Sequence, residues 1–448
     1  MMRIALFAIL ILTTESTAKP IRVATFSVEV TCPIGHPLIA GLRQPAKKIV
    51  DPLWARGLVL LGEGKPIVLC AIDWCEIRNS AYERWREALA KAAGTEKARV
   101  LFTCLHQHDA PVSDLRAEEL LKSVGLGGAM FEVKFHERCI QRVANGVKRC
   151  LKKTQPVTHV GIGQAKIEKL ASNRRVVLGK RVVYSRGSGS GGNKAFREAP
   201  DGLIDPWLKT ISLWNGDQAI VAISSYAIHP MSYYGRGGVS ADFVGMARDQ
   251  RQREDASIFQ IYLTGCSGDT TAGKYNDASP ANRPVLAKRL YDGMKSACKA
   301  TKKHAIEKMS FRSVKLDLKF REVPRLSKAN LEKTLKNVKA PKGRRVLAAM
   351  GLASRERVKS GLPIDFPCVD CGKAKLILFP GETWVGYQLD AQKQTKDFLM
   401  CVGFGECWPG YIPTTQGFED KFEDIWYWVG RDADRKIPQA VKKVLQTK

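Results

Sequence analysis

The sequence predicts an α/β fold of mixed β-sheets flanked by helices, with a metal site at strand termini and a small Lys-rich helical insertion. Three observations predict it. Short, nearly all-apolar runs alternate with stretches of helical periodicity. Histidines and small-residue turns fall where those runs end, and a basic amphipathic stretch from Leu326 to Lys359 interrupts the alternation. The 448 residues are 44% hydrophobic, ample for a packed core and incompatible with global disorder. The 38 Gly and 21 Pro are ordinary usage, and no heptad persists, which excludes a collagen-like or coiled-coil rod.

In chain order, Ile21 to Val30 reads as a strand, followed by the turn-rich Cys32-Pro33-Ile34-Gly35-His36-Pro37. Gly57 to Leu61 and Pro66 to Asp73 read as two more, the second apolar enough to be central in its sheet. Asn79 to Ala93 has helical spacing, with Trp85, Leu89 and Ala93 on one side, and Arg99 to Leu105 returns to strand and runs into His106. Gly187 to Gly192 reads as a flexible loop, a mobile lid rather than a domain linker. Leu208 to Leu213 and Ala219 to Ile228 are strands, the latter delivering His229. Ile258 to Thr264 is another and leads into the turn Gly265 to Gly273. Pro280 to Lys302 is helical, residues 326–360 form the helical insertion, and Ala374 to Phe379 is a strand ending at Pro380-Gly381-Glu382. No internal repeat is evident.

Residues 1–18 are set apart as a signal peptide. Arg3 supplies a positive start, Ile4 to Leu12 an apolar run, and Ser16-Thr17-Ala18 a small-x-small cleavage pattern. The run is far shorter than the roughly 20 residues that span a bilayer. The expectation is a secreted or periplasmic protein whose functional domain covers residues 19–448. Lys and Arg total 72 against 44 Asp and Glu, a net charge of +28. No nucleic-acid motif accompanies that charge, so it reads as a solvated basic face, with peripheral attraction to an anionic membrane or glycan as the alternative. Twelve cysteines in an exported chain favour local disulfides around Cys368, Cys371, Cys401 and Cys407 over a four-thiolate zinc site, because the second pair lacks knuckle spacing. Cys70, Cys75, Cys104 and Cys266 sit in apolar stretches and read as buried thiols.

The chemistry concentrates at strand ends. His106 and His108 are two residues apart, so an extended chain projects both from one face. His229 closes the apolar run from Val221 immediately before Pro230, and Glu382 closes the run from Leu376. Alone, a His beside Pro is an ordinary hydrogen-bonded residue and Pro-Gly-Glu an ordinary surface turn. Together they lie at strand termini that converge on one cleft, and imidazole with carboxylate is a ligand set that catalytic zinc accepts. Nothing in the sequence supports a second divalent ion at Asp73.

The order of motifs resembles the neutral, non-lysosomal ceramidase family. The matching pieces are Thr103-Cys104-Leu105-His106-Gln107-His108-Asp109-Ala110-Pro111, Tyr226-Ala227-Ile228-His229-Pro230, Cys266-Ser267-Gly268-Asp269-Thr270-Thr271, Pro380-Gly381-Glu382 and Gly410-Tyr411-Ile412-Pro413-Thr414-Thr415. Glu29 to Gly35 and Asp51 to Arg56 are similar to that family's amino-terminal signature, and the resemblance spans roughly residues 22 to 430. It implies a Zn2+ ion held by His106, His229, Glu382 and Tyr411, proton transfer by His108, and substrate contacts from Arg174, Asp269 and Thr271. It implies hydrolysis of an N-acyl, ceramide-like lipid amide. Thr271 replaces the family's Ser, Ala272-Gly273 replace its Pro-Asn, and the sequence stops at Lys448, before the family's carboxy-terminal immunoglobulin-like domain.

Two rival readings remain. Gly265-Cys266-Ser267-Gly268-Asp269 is half of a nucleophile elbow, which would make Ser267 a serine-hydrolase nucleophile, although the last glycine is missing. The other is a non-catalytic basic binder of anionic lipid or glycan.

Overall fold

The computed structural model describes residues 19–446, so the signal segment expected over residues 1–18 lies outside the described residues. Arg22–Glu29 pairs antiparallel with Trp54–Leu61, which pairs antiparallel with Ile67–Ile72. Ile67–Ile72 is buried at every position, as a strand covered on both faces must be, and its outer neighbour is the parallel strand Val100–Cys104. Between these two parallel strands runs the helix Asn79–Ala93, within the bounds its periodicity predicts. It buries Trp85 and Leu89 against the sheet, where Trp85 stacks on Phe102 with centroids 5.1 Å apart.

The same unit recurs twice, a repeat of topology that leaves no trace in the residue pattern. In a second five-stranded sheet, Gln218–Tyr226 lies parallel to Phe259–Thr264 across the helix Asp242–Glu254. In a four-stranded sheet, Ala374–Leu378 lies parallel to Phe398–Val402 across the helix Val385–Lys393. A parallel pair needs such a crossover, and its two strands end on the same side. The three pairs therefore each deliver two chain ends to one edge.

Backbone bonds tie those ends together. The Leu105 carbonyl accepts from Thr264 Oγ1 at 2.8 Å, the Thr264 carbonyl accepts from the Gly403 N–H at 2.9 Å, and the Gly403 carbonyl accepts from Thr103 Oγ1 at 2.7 Å. Beneath this junction the three sheets share one apolar core, with Leu58, Leu69 and Leu101 from the first, Ile211 and Ile223 from the second, and Val369 and Leu376 from the third. Each such burial is worth about 1.5–3 kcal/mol, so the relative placement of the strand ends is fixed by packing.

The Lys-rich stretch forms the helices Lys328–Lys336 and Lys342–Lys359. Leu331, Leu335, Val346 and Met350 join the core that also covers the outer face of the first sheet, leaving the lysines outside. Two expectations need correction. All twelve cysteines are free thiols, eleven of them buried. Cys368 and Cys371 are an odd number of residues apart and join different cores, while the Cys401 and Cys407 thiols turn to different carbonyls, those of Gln388 and Gly405. The Gly187–Gly192 segment is a pinned turn rather than a mobile lid. Buried Arg186 donates to the Asn173, Pro200 and Phe196 carbonyls. Gly191 packs so tightly that a Cβ there would lie 2.6 Å from the Asn276 carbonyl oxygen, which is the physical use of its missing side chain.

Candidate metal centre

His106 follows the strand Val100–Cys104 by two residues and adopts a left-handed backbone, φ 68°. A non-glycine residue pays about 1–3 kcal/mol for such a conformation, and here its surroundings hold it. The His106 N–H donates to the Trp74 carbonyl, its ring lies 4.2 Å from the Phe404 ring at 18°, and its Nδ1–H donates to the Cys75 carbonyl at 2.9 Å. That last bond commits Nε2 to the cavity as an acceptor. The strand before His229 ends at Tyr226, earlier than expected, and His229 is placed instead by a parallel bridge to Thr271 and by its N–H donating to the Thr270 carbonyl. Its Nδ1–H donates to the Ser267 carbonyl at 3.2 Å, so Nε2 faces inward as an acceptor, within hydrogen-bond distance of His108 Nε2.

Glu382 sits in the two-residue strand Glu382–Thr383, which pairs parallel with Tyr411–Ile412 so that Glu382 and Tyr411 are register partners. Glu382 Oε2 lies 3.5 Å from His106 Nε2 and 3.8 Å from His229 Nε2. Ligands at about 2.0 Å from a tetrahedral zinc ion are about 3.3 Å apart. All three ligand atoms lie within 4.8 Å of one another. His108 Nε2 is 3.1 Å from His229 Nε2, and Arg174 donates to the Tyr411 hydroxyl at 2.9 Å.

Three buried polar atoms here, Glu382 Oε2, His108 Nδ1 and Arg174 Nε, have no hydrogen-bond partner among the described residues. Such orphans call for an explanation, and the inward lone pairs of His106 and His229 beside a partnerless carboxylate oxygen fit a divalent cation. A cavity of about 500 Å³ opens from His106, His108, Arg174, Glu382 and Tyr411 to the surface.

The electrostatics follow from burial and neighbours. Burial, the largest single influence, opposes protonation of His106, but the Glu382 and Glu76 carboxylates and the Cys75 carbonyl together outweigh it and raise the group. His108 and His229 are driven well below the ordinary histidine value by burial, with the His106 and Arg174 charges adding to it. Burial pushes the Tyr411 phenol well up despite Arg174.

The remaining expected residues are placed elsewhere. Asp269 accepts from the Val385 N–H and from Asn173, and its carbonyl accepts from the Arg174 N–H, so it braces the site from behind. The Thr271 hydroxyl donates to the Arg186 carbonyl and accepts from the Gly273 N–H, and neither residue lines the cavity. Ser267 meets His229 through its carbonyl, and its buried hydroxyl has no partner, so it lacks the Ser–His bond a nucleophile needs. Asp73 is buried and paired with Arg248 at 2.6 and 2.9 Å, and it also accepts from the Trp54 N–H.

The sequence reading missed Cys75 and Phe404. Cys75, set down as a core thiol, faces the cavity with its Sγ within 4.8 Å of ligand atoms of His106 and His108. Its position three residues after Ile67–Ile72 carried the same strand-end signal as the histidines. Phe404, under the His106 ring, carried none. Gly268 supports Glu382 by having no side chain, since a Cβ there would overlap the Glu382 carbonyl oxygen. Gly268→Ala is expected to displace the Glu382–Thr383 strand and weaken any divalent-cation binding at this cluster by about 10–100-fold, measured by competition with a chromophoric chelator.

No family model matches this sequence, and no curated protein matches it. Solved structures do. The neutral ceramidase from Pseudomonas aeruginosa superposes with a TM-score of 0.68 at 14% identity, over 95% of this chain and 74% of that one. A ceramidase complexed with C2 superposes with a TM-score of 0.68 at 15% identity, over 95% of this chain and 75% of that one. This chain has their fold.

Proposed function

We propose that this chain, built on the fold of the neutral ceramidases, is an exported metal-dependent hydrolase that cleaves the amide bond of an N-acyl, ceramide-like substrate. The observation that carries the reading is the convergence of His106, His229 and Glu382 within 4.8 Å, each from the end of a different sheet's parallel pair and one of them with an orphaned oxygen. These three and Tyr411 would hold Zn2+, their donor set being the nitrogen and oxygen set of catalytic zinc sites. When bound, such a cation lowers the pKa of water to about 7 and polarises a carbonyl.

The protein's own groups supply the rest. His108, neutral because burial keeps it so, accepts the proton of the attacking water and returns it to the leaving amine. Arg174 and the Tyr411 hydroxyl, 2.9 Å apart, donate to the oxygen on which negative charge develops. Leu42, Leu347 and Ile425 give the cavity apolar walls, as a lipid-like substrate requires.

The test is fatty-acid release from N-acyl amides by purified protein, stripped with chelator and then restored. Activity that disappears on stripping and returns with stoichiometric zinc supports the reading. Activity indifferent to chelator, or none after zinc loading, overturns it. A basic protein that bound lipid vesicles without turnover would favour the binder.

A further inference from the structure

The charge at the cavity mouth is one-sided. Arg43 and Arg344 are exposed and line the cavity from different elements, and among the described residues neither guanidinium has a carboxylate within 4.0 Å. Some arginines elsewhere on the surface have such partners, among them Arg84, Arg116, Arg321 and Arg355, while others, such as Arg138, Arg181 and Arg253, have none among the described residues. Arg344 lies in the first turn of Lys342–Lys359, a helix with no acidic residue in that turn and no side-chain cap. Its positive end therefore coincides with Lys342 and Arg344 rather than with the carboxylates that usually offset it. The two acids in the cavity are otherwise engaged: Glu382 faces the histidines, and Asp424 accepts from the Trp426 N–H beside Arg174.

Position says which part of a substrate meets this charge. The Arg43 guanidinium lies 6.0 Å from the Tyr234 ring centre, and Tyr234 packs edge-on against His108 with ring centres 4.6 Å apart. One aromatic ring thus separates Arg43 from the imidazole that serves the leaving amine. The orphaned His108 Nδ1 marks the same side of the site as unfinished without a ligand.

Resting on the amide-hydrolase reading, we propose that the site selects N-acyl substrates whose amine half carries an oxyanion, held by Arg43 and Arg344. A carboxylate, as in an N-acyl amino acid, and a phosphate, as in a phosphorylated ceramide-like lipid, share that chemistry. A guanidinium fork pairs with either in two-point fashion.

The experiment compares three N-acyl amides of one acyl length, with the amine half ending in a carboxylate, a phosphate or a neutral hydroxyl. Zinc-loaded full-length protein hydrolyses them over a series of salt concentrations. Matched sulfonamides, which resist hydrolysis, report binding through the change in intrinsic tryptophan fluorescence, Trp426 lining the cavity. Expected is a preference of at least about tenfold in kcat/KM and in Kd for one or both anionic members, expressed mainly in KM and shrinking as salt rises. Which anionic member leads identifies the source of the oxyanion. The Arg43→Ala/Arg344→Ala double variant should bring the ratio near one, and the Arg43→Lys/Arg344→Lys variant should restore part of it. Equal use of neutral and anionic amides overturns the proposal, as does a ratio unmoved in the double variant. Arginine dependence seen only with neutral amide presented in anionic vesicles also overturns it, because the arginines would then serve a membrane surface. Anion-selective binding without hydrolysis of any amide would leave this inference standing and remove the hydrolase reading instead.

Discussion

His106→Ala is expected to leave a folded protein that retains no zinc and hydrolyses an N-acyl amide at least about a thousandfold more slowly. On the proposed reading the imidazole is one of two nitrogen donors to the cation, oriented by the Cys75 carbonyl and facing Glu382 at 3.5 Å. Its loss leaves a histidine and a carboxylate with a high-pKa phenol, too few strong donors for a catalytic zinc site, which uses three protein ligands. With the cation would go the water activation it would supply, a lowering of the bound water's pKa to about 7. The substitution also places alanine at φ 68° and removes the ring stacked on Phe404. His106→Asn serves as the companion, because asparagine tolerates the left-handed region better than alanine. Both variants should keep the wild-type circular dichroism and both should fail elemental analysis for zinc. Zinc retained with activity intact would remove His106 from the ligand set.

His108→Ala should behave differently, keeping its zinc while losing about 10²–10⁴ in kcat, roughly 3–5 kcal/mol of transition-state stabilisation. His108 sits 3.1 Å from His229 Nε2 yet outside the trio of mutually close ligands formed with Glu382. The pH profile separates a proton carrier from a structural ring. Burial, reinforced by the charges of His106, Arg174 and Arg43, lowers its pKa well below 6.5. The proton-accepting neutral form persists above that lowered value and is lost beneath it. The wild-type acid limb in kcat/KM should therefore lie below pH 6.5 and vanish in the variant. A variant that loses zinc along with activity would instead count His108 among the ligands.

What the sequence made legible was order along the chain. Apolar runs leading toward His106, His229 and Glu382 were visible because strands buried on both faces are mostly apolar until they leave the sheet. The Asn79–Ala93 helix was legible from its apolar spacing for the same kind of reason. The threefold recurrence of the parallel-pair unit was not, since topology repeats here without any repetition of residues. The left-handed turn at His106 was equally hidden, because only tertiary partners such as Phe404 and the Trp74 carbonyl stabilise it.

The residues named by resemblance differ in what they touch. Arg174 is placed against the Tyr411 hydroxyl by the Asp269 carbonyl and Asn173, a relation between residues 237 positions apart that no local pattern encodes. Thr271 and Asp269 sit in the right loop but spend their polar atoms on Arg186, Gly273, Val385 and Asn173. Their neighbours gain position from them. The disulfide expectation failed because cysteine count says nothing of facing, and Cys368 and Cys371 turn to opposite cores.

Anomalous diffraction at the zinc absorption edge, from crystals of the zinc-loaded protein, tests most directly whether His106, His229, Glu382 and Tyr411 hold one cation. One strong peak about 2 Å from His106 Nε2, His229 Nε2, a Glu382 oxygen and the Tyr411 hydroxyl is the predicted result. No peak there, or a peak bound only at surface side chains, would contradict it.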